Sequence, residues 1–80
     1  MKNELIARLR YYKGDDTYAI EIYYPDDNDW GLVRSCRCRK YLDFPDEEAA
    51  GVNYTMLTEL VKMCEMGYRI HMSSTEESHR

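Results

Sequence analysis

The stretch Asn53-Tyr54-Thr55-Met56-Leu57-Thr58-Glu59-Leu60-Val61-Lys62-Met63-Cys64-Glu65-Met66-Gly67-Tyr68 decides the fold. At about 100° per residue, Leu57, Val61, Cys64 and Tyr68 share one side with Leu60, flanked by Met56, Met63 and Tyr54. Thr55, Thr58, Glu59, Lys62 and Glu65 take the other side. Asn53 is a helix cap, because its side-chain oxygen can accept from the free N–H groups of the first turn. Gly67 stands where a helix needs a left-handed residue to stop, and Tyr68 is then placed to fold back on Met63. One helix with half its surface apolar is not stable alone in water. It needs a sheet to lie on.

The residues before it supply that sheet. In Glu4–Tyr12, Leu5, Ala7, Leu9 and Tyr11 alternate with Ile6, Arg8, Arg10 and Tyr12, the pattern of a half-buried strand. Lys13-Gly14-Asp15-Asp16 is a turn between antiparallel strands. Thr17–Tyr24 alternates again, with Tyr18, Ile20, Ile22 and Tyr24 on the apolar side and Thr17, Ala19, Glu21 and Tyr23 on the other. Pro25-Asp26-Asp27-Asn28-Asp29 is a second turn, since Pro fixes φ and Asp and Asn bond back to the local backbone. Trp30–Tyr41 reads as a third strand. There Trp30, Leu32, Cys36 and Cys38 are assigned to the helix side, and Val33, Ser35, Arg37, Arg39 and Tyr41 to the other. Arg34 breaks the register and points to a bulge or to an arginine that snorkels to the edge.

Pro45 followed by Asp46, Glu47 and Glu48 opens a short helical turn, which Gly51 ends or bends. After the main helix, Tyr68–Met72 alternates as a fourth strand. No apolar residue follows Met72, so residues 73–80 are expected as a disordered tail behind a single domain over 1–72.

The fold class is therefore α+β, with the order β-β-β-α-β. Two hairpins make the first three strands antiparallel, and a right-handed crossover returns the fourth strand parallel to the first, for a sheet order of 3-2-1-4. The helix covers one face. No second layer is left for the other.

Eighty residues with 44% hydrophobic and 32% charged side chains are ordinary for a soluble domain. No apolar run is long enough for a signal peptide or a membrane span, so a cytoplasmic location is expected. Three Cys are an odd number, expected as free thiols in a reducing compartment. The net charge of −4 argues against a general nucleic-acid binder. It is unevenly spread. Residues 1–42 hold eight Lys or Arg and seven Asp or Glu; residues 43–80 hold three and eight.

Four groups of residues are candidate sites. On the uncovered face, Arg8, Arg10, Tyr12, Glu21, Tyr23, Arg37, Arg39 and Tyr41 interleave arginine with tyrosine. Such a surface contacts a protein through Tyr and Arg anchors, stacks on bases and pairs with phosphates, or is a solvated face whose long side chains pair with Glu21. The acidic approach to the helix, Asp43, Asp46, Glu47 and Glu48, suits a basic groove on a partner. Asp26-Asp27-Asn28-Asp29 lacks the Gly and Glu positions of a calcium loop and reads as a solvated turn. Cys36-x-Cys38, Cys64 and His71 have poor spacing for zinc, and the cysteines read as small apolar core residues. No cofactor is implied. No nucleophile–base pair or phosphate loop is recognisable, which makes an enzyme the least favoured class.

In general build the chain resembles small proteins of phages and mobile elements, above all anti-CRISPR and related anti-defence inhibitors. The likeness rests on the 80-residue length, the acidic clusters at Asp26–Asp29 and Asp43–Glu48, and a sheet-plus-helix unit too small for catalysis. It implies a non-enzymatic inhibitor that docks on a host nucleoprotein complex and occludes it. A nucleic-acid-binding module using the Arg and Tyr face, as in some integrase arm domains and plant transcription factors, and a structural homodimer are the alternatives.

Overall fold

The computed structural model describes residues 4–37, 52 and 54–79. The strands β1 (Ile6–Tyr12), β2 (Thr17–Tyr24), β3 (Asp29–Arg37) and β4 (Arg69–Thr75) and the helix α1 (Tyr54–Glu65) follow one another as β-β-β-α-β. The strands form one sheet in the order β3-β2-β1-β4. β1 is antiparallel to β2 and parallel to β4, and β2 is antiparallel to β3. This is the expected α+β architecture. The third strand beyond Arg37, the turn opened by Pro45 and the Asn53 cap lie outside the described residues.

Both hairpins turn on a left-handed Asx residue. Asp16 has φ 54° and Asn28 has φ 50°, a region that the short side chains of Asp and Asn tolerate. In each hairpin the tyrosine five positions earlier donates its hydroxyl hydrogen bond to that residue, Tyr11 to Asp16 and Tyr23 to Asn28, both at 2.5 Å. Tyr11-Tyr12-Lys13-Gly14-Asp15-Asp16 and Tyr23-Tyr24-Pro25-Asp26-Asp27-Asn28 are thus the same turn built twice.

The helix ends as its glycine requires. Gly67 has φ 99°. Its N–H bonds the Cys64 carbonyl at 3.0 Å, and the Tyr68 N–H bonds the Met63 carbonyl at 3.0 Å. Together these satisfy carbonyls that the last turn would leave bare.

Between helix and sheet lies the core: Ala7, Leu9, Tyr18, Ile20, Val52, Met56 and Met63, with Leu57, Leu60, Ile22, Cys36, Tyr68 and Ile70 packed against it. The helix is rotated from the expected setting. Met56 and Met63 are buried, whereas Val61 is 56% exposed and Cys64 is also exposed. The sequence stripes centred on Leu57–Val61–Cys64 and on Met56–Leu60–Met63 differ by one residue, about 100°. Unbranched Met side chains adapt to the irregular space over a twisted sheet better than Val does. Cys64 is therefore not a core residue, while Cys36 is half-buried and packs against the core.

The fourth strand is longer than its apolar pattern. Ser73, Ser74 and Thr75 pair with Arg10, Tyr11 and Tyr12, and the Lys13 N–H donates to the Thr75 carbonyl at 2.9 Å. The backbone ladder carries the strand three residues past Met72. Residues 76–79 then cross the first turn. Lys13 Nζ lies 3.3 Å from Glu76 Oε1, the His79 N–H donates to Asp15 Oδ2 at 2.9 Å, and the His79 ring meets Tyr12 edge-on at 5.0 Å. Gly14 permits this approach. A Cβ there would stand 2.7 Å from Ser78 Oγ and 2.9 Å from the Ser78 nitrogen.

Candidate functional site: the open face of the sheet

The face away from the helix can be read from the register, because directly paired residues point the same way. β1 supplies Ile6, Arg8, Arg10 and Tyr12; β2 supplies Thr17, Ala19, Glu21 and Tyr23; β3 supplies Trp30, Leu32, Ser35 and Arg37; β4 supplies Arg69, His71, Ser73 and Thr75. Arg8, Arg10, Tyr12, Tyr23 and Arg37 thus share this face as expected. Arg39, Tyr41, Asp43, Asp46, Glu47 and Glu48 lie outside the described residues.

Trp30 and Leu32 do not face the helix, and the cause is one residue. Ile20 pairs with Arg34 and its neighbour Glu21 with Leu32. Val33 is therefore an extra residue, a β-bulge. A bulge inverts the in–out alternation on one side of itself. Cys36 stays under the helix opposite Tyr18, while Trp30 and Leu32 pair with Tyr23 and Glu21 on the open side. The break in register near Arg34 was visible in the sequence; carrying its parity back to Trp30 would have found both residues. Arg69 and His71 follow from the alternation of the last strand.

At the centre of the face is a carboxylate. Glu21 is only 7% exposed. Arg8 Nε donates to Glu21 Oε1 at 2.6 Å, and the Tyr12 hydroxyl donates to Glu21 Oε2 at 2.7 Å. Both carboxylate oxygens are satisfied, as a buried charge requires. The Arg8 guanidinium also lies 4.0 Å from the centre of the Trp30 ring, and that of Arg10 lies 4.9 Å from the centre of the Tyr12 ring. Such stacking suits the flat, weakly hydrated guanidinium. Tyr23 completes the row, its ring 5.3 Å from that of Trp30. Burial raises the Tyr12 pKa above its ordinary value of 10.0, and the hydrogen bond to Glu21 and the charge of Glu21 raise it further.

The pairing with Glu21 is what the solvated-face alternative expected, and it takes Arg8 and Tyr12 out of free solution. Arg37 stays exposed, as does Leu32 at 54%, with Trp30 half-buried between Tyr23 and Arg8. A polar hollow of about 480 Å³ opens at the end of the sheet between the Asp15 turn, Ser35–Arg37 and Ser78–His79. Among the described residues, no group of three or more His, Cys, Asp or Glu is placed to hold a metal ion, and no helix is long and apolar enough to cross a membrane.

Compared with protein-family models, curated proteins and solved structures, the chain finds no match.

Proposed function

We infer that this is a small non-enzymatic protein-binding module that docks through the open sheet face. The observation that carries the reading is Leu32, 54% exposed, beside Trp30 on a face that no described helix or strand covers. A lone exposed apolar side chain such as Val61 is ordinary, but Leu32 adjoins Trp30 and Tyr23 on one face, and it is contiguous apolar surface that marks contact sites. Trp, Tyr and Arg are the side chains that anchor protein contacts. Arg8, held by Glu21, lies on the indole of Trp30. An anchor held in one orientation before contact loses less entropy on binding.

The resemblance to anti-defence inhibitors would add a mode, occlusion of a host nucleoprotein complex. With the face docked beside the nucleic-acid site of such a complex, the acidic turns at Asp15–Asp16 and at Asp26, Asp27 and Asp29 would repel nucleic acid from it.

Capture from a host lysate at low salt, comparing the wild type with Trp30→Ala/Leu32→Ser, tests the reading. The wild type should retain a partner, and the variant, shown folded by circular dichroism, should retain at least about tenfold less, since burial of a Trp and a Leu is worth a few kcal/mol. No partner, or equal retention by both proteins, would sink it.

A further inference from the structure

The charges of the described residues are segregated. Arg8, Arg10, Arg37 and Arg69 share the open face, with His71 beside them, and Glu21 is the only carboxylate the paired strands bring there. Glu21 is bound to Arg8. Arg69 lies 3.6 Å from Glu4, but both side chains are largely exposed and the pair is weak. Acids collect instead at the two ends of the strands: Asp15, Asp16, Glu76 and Glu77 at one, and Glu4, Asp26, Asp27 and Asp29 at the other. An acidic protein thus carries a basic strip with a tryptophan and a leucine set in it.

We propose that the open face binds an acidic, leucine-like apolar segment of a partner protein, Arg10 and Arg37 meeting its carboxylates and Trp30 and Leu32 its apolar side chains. The proposal rests on the protein-binding reading above and names the chemistry of the partner. Guanidinium groups match carboxylates in geometry. An acidic stretch of a folded partner can be confined to the strip. A nucleic-acid strand laid along the β-strands would run into carboxylates at both ends, and Leu32 offers a base no plane to stack on. Glu21 sets the limit of the site: it neutralises Arg8, so the anion contacts fall on either side of it.

Trp30 is the only tryptophan of the chain, so its emission reports on this face directly. The probes are short synthetic peptides of alternating Glu and Leu, of alternating Lys and Leu, and of Glu alone, together with single-stranded and duplex oligonucleotides. The Glu–Leu peptide should shift Trp30 emission saturably, and the more weakly the higher the salt. Arg10→Gln/Arg37→Gln should bind it at least about tenfold more weakly with an unchanged thermal midpoint, and the all-Glu peptide should bind about tenfold more weakly to the wild type. No response to the Glu–Leu peptide, an equal response to the Lys–Leu peptide, or tighter binding of an oligonucleotide would each overturn the proposal. If lysate capture depends on Trp30 and Leu32 but ignores the arginine substitutions, the docking face stands and the acidic partner falls.

Discussion

Ile20 and Glu21 are neighbours in β2, both buried, on opposite sides of one sheet. Ile20 is covered by the apolar underside of a helix. Glu21 has no described layer above it and is enclosed by Arg8 and Tyr12, which bond it, with Trp30 against Arg8. The first kind of burial is non-directional, and any apolar neighbour of the right size serves. The second depends on named partners, because a carboxylate out of water is tolerated only while its oxygens are bonded. The helix face should therefore fail by volume and the open face by broken pairing.

The largest effect should come from emptying the apolar side. Met56 is fully buried, and Met56→Ala should cost about 2–5 kcal/mol. That is a large share of the roughly 5–15 kcal/mol that holds a typical domain together. The urea midpoint measures it. A loss below about 1 kcal/mol would mean that the helix does not seal the sheet.

On the open side, Glu21→Ala should cost about 1–3 kcal/mol, because it strands Arg8 and the Tyr12 hydroxyl. Replacing both charges with methionine, Arg8→Met/Glu21→Met, should recover most of that loss, since a buried ion pair is often no more stabilising than apolar side chains of its size. A double variant as unstable as the single one would show that the two faces are not different in kind.

Tyr12 sharpens the comparison through pH. Its folded pKa lies above 10.0, so the folded chain holds the phenolic proton more tightly than the unfolded chain. The stability this contributes is complete below about pH 10 and is lost as pH rises through the folded value. Tyr12→Phe should cost about 1 kcal/mol at neutral pH and make the alkaline decline in stability shallower. Parallel alkaline limbs for wild type and variant would remove Tyr12 from the account.

The smallest effect is expected at Val61. If the helix is set as described, Val61→Ser changes stability by no more than about 0.5 kcal/mol, as exposed substitutions do. A core-sized loss in thermal denaturation would return the helix to the setting centred on Leu57, Val61 and Cys64.

The sequence made the elements legible because each has a strong local cause. Alternation marks the strands, Asp and Asn mark the turns, and Gly67 marks the helix end. What it hid were differences of one residue. Val33 decides which side of the sheet Trp30 occupies, and a 100° rotation exchanges Cys64 for Met63; both depend on fit against other elements. The end of β4 was hidden for another reason. Ser73–Thr75 are held by backbone bonds to β1, which side-chain polarity does not record. Of the candidate site, the arginines and tyrosines of β1 to β3 fell on the correct face, and the apolar pair between them did not.

The parallel pairing of β1 with β4 has a consequence for how the chain comes together. β1, β2 and β3 are joined by tight turns and can zip up as soon as they emerge from the ribosome. The partner of β1 on its other side lies beyond the helix, far along the chain. Contacts that close so long a loop form late. Until then β1 presents a bare edge, and the apolar side of the meander presents Leu9 and Ile20 with no helix over them. An unpaired edge beside an uncovered apolar surface is where nascent chains stick to one another. The interval between making the third strand and making the fourth is when this protein is most exposed to aggregation.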